Sequence, residues 1–188
     1  MTAYLGMDHS HAVPKGRGYV HQEIRDHKLA ILTELVHDYP TDGIEMDFSG
    51  SPGGGPLPLR EEDVSEHAST ITDFVASVAD VVHHRPGGPG IVGARIFPTE
   101  AMNQRAGYDV IRWINEGYVD YVVPMMYIYF VLDQHMPIDW IIETAKDTDT
   151  SVYGMLQPYI AAESTGVPER VFPSAAHIRA GAMNMWDR

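Results

Sequence analysis

Short apolar runs begin near residues 43, 91, 121 and 151 of this 188-residue chain, and each is separated from the next by a stretch with helical character. The last two intervals are 30 residues long, which is the length of one strand plus one crossover helix. The runs themselves, at about 43–48, 91–97, 121–127 and 151–157, are apolar almost throughout, as strands covered on both faces should be. Units of this form build a parallel sheet, because parallel neighbours are joined only through long, right-handed crossovers.

The intervening stretches support this. Ile24, Leu29, Ile31, Leu32, Leu35 and Val36 recur with helical spacing before Pro40. Asp63 and Glu66 fit a capping box ahead of a stripe formed by Val64, Ala68, Ile71, Val75, Val78 and Val82. Shorter helices are expected near 109–116 and 138–145, and another from about residue 174. A glycine- and proline-rich loop at 49–58 extends neither the strand before it nor the helix after it.

The fold class is therefore α/β, and the choice lies between an open doubly wound sheet and a (β/α)8 barrel. No glycine-rich dinucleotide loop follows any strand, and Gly53-Gly54-Gly55 lacks the lysine and hydroxyl of a phosphate loop. Polar and aromatic residues stand instead at the ends of successive strands, as a TIM barrel enzyme requires: Asp47, Arg95 with Phe97, Tyr127 with Tyr129, and Gln157 with Tyr159. A full barrel takes about 250 residues. Four clear strands, with a fifth near Tyr4-Leu5-Gly6, make an incomplete barrel of four or five strand-helix units. Residues 1–188 are read as one partial barrel domain, a piece of a longer protein. Self-association of half-barrels is the alternative.

Charge and composition exclude several functions. With 26 acidic and 13 basic residues the formal charge is -13, a field that repels nucleic acid and anionic membrane. No run approaches the roughly 18 apolar residues of a membrane span, so a soluble protein is expected. Met1 to Gly6 shows neither the basic flank nor the apolar segment of a signal peptide, and the compartment stays unassigned. Cysteine is absent, which rules out disulfides and thiolate chemistry.

Glu45 and Asp47 are the candidate catalytic residues. Two positions apart on a strand, they project from one face, and two charges there are costly unless the face opens on a polar site. One of them would act as acid, base or nucleophile, with the other shifting its pKa; the leading expectation is Glu45 as acid/base and Asp47 as its electrostatic partner or a substrate ligand. The alternative is structural: Glu45 ion-paired deep in the barrel with Arg95, and Asp47 holding a loop. Arg95 interrupts an apolar run and needs a carboxylate partner, in the protein or on a uronic acid. Tyr127, Tyr129 and Gln157 are candidate sugar contacts, since tyrosine rings stack on sugar faces while their hydroxyls hydrogen-bond. Tyr153 is expected in the core, and Trp113 and Trp140 are expected to pack helices on the sheet. In Asp8-His9-Ser10-His11 two histidines share a side of an extended segment, but no HExxH accompanies them, so no metal or other cofactor is expected. His9 is kept as a candidate substrate ligand.

Several segments resemble bacterial glycoside-hydrolase-like TIM-barrel proteins of the family 10-like kind. These are residues 23–37, Tyr39-Pro40-Thr41-Asp42-Gly43-Ile44-Glu45-Met46-Asp47-Phe48, residues 90–97, Gly107-Tyr108-Asp109-Val110 with Trp113, Gly117-Tyr118-Val119-Asp120 and Met136-Pro137-Ile138. The likeness runs from about residue 19 to the end and implies a barrel lacking its front portion, with a carbohydrate as partner. A looser likeness links residues 42–49 to the chitinase pattern DxxDxDxE. It matches Asp42 and Asp47, has Glu45 for the middle aspartate, and sets Ser49 where that family carries its acid. Serine cannot protonate a leaving oxygen effectively, so the acid role falls to Glu45 or Asp47, with Glu100, Asp133, Glu163 or a residue of the absent strands as candidate partner. The expected activity is glycosidic bond hydrolysis. A noncatalytic carbohydrate-binding barrel is the alternative, and a uronic-acid lyase or sugar isomerase the third option.

Overall fold

The computed structural model describes residues 2–3, 18–49, 59, 63–125, 132–162 and 169–187. Its centre is a five-stranded parallel sheet of β1 (Thr2–Ala3), β2 (Gly43–Asp47), β3 (Ile91–Ile96), β4 (Tyr121–Pro124) and β5 (Ser151–Val152). The strands lie side by side in chain order. A doubly wound sheet reverses its order at a switch point, whereas a barrel wall does not. The arrangement is an incomplete α/β barrel, as the spacing of apolar runs implied.

Helices α1 (Gln22–Asp38), α2 (Thr70–His83), α3 (Glu100–Arg105), α4 (Val110–Asn115) and α5 (Asp139–Ala145) fill the crossovers. In α2 the buried positions Ile71, Phe74, Val75, Val78 and Val82 recur every three or four residues and turn one side toward the sheet. They meet the even-numbered strand residues Ile44, Met46, Phe48, Val92, Ala94, Ile96 and Val122, together with Leu32, Val36, Trp113 and Ile141, in one continuous core. Trp113 is fully buried, and its Nε1 donates to Thr72 Oγ1 at 2.9 Å. Trp140 donates from Nε1 to the Pro98 carbonyl at 2.8 Å. Both tryptophans thus pack helices against the sheet, with their polar edges satisfied.

Asp120 ties three strand starts together. Its side-chain Oδ2 accepts from the Val92 N–H at 2.6 Å and lies 3.0 Å from His83 Nε2 at the end of α2. Its backbone N–H donates to the Val92 carbonyl, and its own carbonyl accepts from Ser151 N–H. Gly43 allows a similar close approach, because a Cβ there would lie 1.9 Å from the Ile91 carbonyl oxygen.

Several boundaries differ from expectation. The α2 ladder starts at Thr70, not at Asp63. The Asp63 carbonyl accepts from the N–H groups of Glu66 and His67, and Ser69 and Thr70 are weak helix formers, so a single turn forms and stops. The strand expected to reach Gln157 ends at Val152. Tyr153 N–H still bonds to the Val122 carbonyl, but Pro124, the next β4 residue facing β5, has no N–H to offer. The fifth strand is Thr2–Ala3, while Tyr4-Leu5-Gly6 lies outside the described residues. A hairpin of β6 (Ile160–Ala162) and β7 (Glu169–Val171) follows β5 and was not anticipated; α6 (Ala175–Trp186) was. Among the described residues no helix is long and apolar enough to cross a membrane.

Candidate functional site

The odd-numbered residues of β2 to β4 turn away from the helices, and none of them belongs to the helix-packed core. This inner face is arranged in layers, because residues paired across parallel strands point to the same side. Glu45, Gly93 and Tyr121 are in register in one layer, and Asp47, Arg95 and Val123 in the next. Tyr121 opens β4 and Asp47 closes β2, so the Asp47 layer lies at the C-terminal strand ends.

Glu45 is the hub of the lower layer. Arg95 Nε donates to its Oε1 at 2.6 Å, and the Tyr121 hydroxyl donates to its Oε2 at 2.9 Å. The ion pair is largely enclosed, with side-chain exposures of 23% for Arg95 and 15% for Glu45. Arg95 also directs Nη1 to Met125 Sδ at 3.2 Å. Tyr121 spans two strands to reach β2, and only glycine in the intervening strand permits it. A Cβ on Gly93 would lie 2.1 Å from the Tyr121 ring. Burial, then the hydrogen bond to Glu45 and its charge, push Tyr121 up to about 12, with Arg95 opposing. A cleft of about 420 Å³ opens below this layer, lined by Thr41, Asp42, Gly43, Glu45, Ile91 and Tyr121.

Asp47 is buried at the upper edge. Its Oδ1 accepts from both Ser49 N–H, at 3.1 Å, and Ser49 Oγ, at 2.8 Å. Ser49 therefore orients Asp47 and shapes the turn leaving β2. Behind it, the Tyr108 hydroxyl is buried with no hydrogen-bond partner among the described residues. Its pKa is driven upward by burial first, then by Tyr19 and by the Asp47 charge.

The sequence-derived candidates divide clearly. Glu45, Asp47 and Arg95 share the inner face, and the expected Glu45–Arg95 pair is present. Gln157 is buried in the segment after β5 instead of ending a strand. His9, Tyr127, Tyr129 and Glu163 lie outside the described residues. Glu100 starts α3 and accepts from Gln104 on that helix's surface, and Asp133 accepts from His135 N–H in an exposed turn, so neither meets the Glu45 layer. Tyr153, expected in the core, is 57% exposed. It stands on the inner face beside Tyr121, ring centroids 5.5 Å apart and nearly perpendicular. Tyr121 itself was missed: its tyrosine opens an apolar run, and only its register with Gly93 and Glu45 marks it. Among the described residues no three His, Asp or Glu side chains converge as metal ligands would.

What this arrangement can do chemically is present a polarised carboxylate pair, a guanidinium and tyrosine rings on one face of a barrel wall. No protein-family model matches the chain and no curated protein is significantly similar to it, so the generic (β/α) repeat is the level of kinship the fold itself supplies.

Proposed function

We propose that residues 1–188 form part of a carbohydrate-active barrel, a glycoside hydrolase in which Asp47 is the acid/base carboxylate and Glu45 its electrostatic partner acting through Arg95. The observation that carries this reading is the pair of carboxylates on the inner face, with Asp47 at the C-terminal strand ends, where barrels keep their chemistry. This division of roles reverses the one expected from the sequence, in which Glu45 is the acid/base and Asp47 its electrostatic partner or a substrate ligand. Both Glu45 oxygens accept hydrogen bonds, an arrangement suited to a carboxylate that orients and balances charge, not to one that hands over a proton. Tyr127, Tyr129 and His9 keep their proposed roles as sugar contacts.

Release of reducing ends from a polysaccharide panel tests this. Asp47→Asn should lower kcat at least about 100-fold while the protein stays folded. Unchanged turnover by a folded variant removes Asp47 from the chemistry. A second reading, a noncatalytic sugar-binding barrel, is favoured by the structural hydrogen bonds that both carboxylates make. Affinity for a glycan without turnover by the unaltered chain is its signature.

A further inference from the structure

The proposed function leaves the charge of the sugar open, and the inner face bears on it directly. Arg95 is the one cation among the described strand residues of that face. A guanidinium on the inner face of a barrel wall is the natural captor of a uronate carboxylate, through paired N–H donors. Here a carboxylate of the protein already occupies that role. Glu45 Oε1 sits 2.6 Å from Arg95 Nε, and Tyr121 holds Oε2 at 2.9 Å. Tyr121 reaches that position only because Gly93 has no Cβ. Three adjacent strands thus cooperate to keep an internal carboxylate on Arg95, where solvent screens the pair only in part.

Asp47 stands in register with Arg95, so this face carries two carboxylates against one guanidinium, within a chain of formal charge -13. A uronate entering here has two routes, both unfavourable. It displaces Glu45, stranding a largely enclosed carboxylate without its cation, or it approaches against net negative charge. An uncharged sugar meets neither obstacle.

We infer that the site takes uncharged glycans and excludes uronic-acid glycans, with Glu45 as the built-in occupant of the Arg95 carboxylate site and Tyr121 as the positioning residue that keeps it there. The inference rests on the carbohydrate reading above.

A pair matched in linkage and configuration, β-1,4-mannan with β-1,4-polymannuronate, tests it on the whole 188-residue chain, by calorimetric affinity and by reducing-end release. At low salt the neutral member should be favoured at least about fivefold, and the margin should shrink toward about 0.15 M ionic strength as screening grows. Equal or preferred use of the uronate overturns this inference and leaves the hydrolase reading standing. If the chain neither binds nor cleaves any member, the carbohydrate reading fails and takes this inference with it. In Glu45→Gln, loss of the competing carboxylate should raise the uronate-to-neutral ratio at least about tenfold. An unchanged ratio in that folded variant overturns the role given to Glu45. Tyr121→Phe, which keeps the ring and the Glu45 charge, should raise the ratio only about two- to threefold and supplies the same test if Glu45→Gln does not fold.

Discussion

The two faces of the sheet are built from the same strands and do opposite work. The even-numbered face is packed solid against helices: Met46, Val92, Ala94, Ile96 and Val122 are fully buried among apolar neighbours. The odd-numbered face alternates charge, glycine and ring: Glu45, Asp47, Gly93, Arg95 and Tyr121. On the first face, stability scales with apolar area and no residue depends on one partner. On the second, each group is held by named hydrogen bonds, and the loss of one leaves another charge stranded. Binding and chemistry belong to the second kind of surface, and the first keeps it rigid.

The difference is open to direct attack. Trp113→Ala on the packed face should cost about 3–5 kcal/mol, the usual loss for a large aromatic removed from a core, read as a lower urea midpoint with an unchanged slope. A loss below about 1 kcal/mol would mean that the helical layer is not what stabilises the sheet. Gly93→Ala on the inner face adds a single methyl group, yet it must drive the Tyr121 ring off its seat. It should cost about 1–3 kcal/mol by overpacking. Paired with Tyr121→Ala, which vacates the seat, most of that cost should disappear. Additive losses in the double variant would show that the ring does not rest on Gly93.

The smallest expected effect is a pH dependence. Burial and Glu45 raise Tyr121 from 10.0 to about 12 in the folded protein. A folded value above the unfolded one gives stability that is complete below pH 10 and is lost as pH rises through about 12, because the unfolded chain ionises first. The urea midpoint should therefore fall over that window, and Tyr121→Phe should flatten the fall. An identical slope in the variant would assign the dependence to the buried Tyr19 and Tyr108 instead.

Much of the architecture was legible in the chain. The apolar runs at 43, 91, 121 and 151, with helical stretches between them, leave few topologies other than sequential parallel strands. The carboxylate pair was legible by parity, and Arg95 as its partner by the cost of burying an unpaired guanidinium. Local signals misled where they competed with tertiary context. The capping-box spacing at Asp63 lost to the weak helix formers that follow, and the apolar run at 151–157 lost its ladder to Pro124 on the neighbouring strand. Tyr153 looked like core because tyrosine in an apolar run usually is, yet its parity turns it to the inner face.

What the sequence determined by itself was periodicity: which segments are strands and helices, and which residues within one strand share a side. That information is local, since it follows from the pitch of the backbone. What only the tertiary structure decided was register between strands. It set Gly93 between Glu45 and Tyr121 and joined a carboxylate, a glycine and a tyrosine spread over 76 residues of chain into one layer. Register depends on how whole strands slide past one another to bury their even-numbered face, and no single segment contains it.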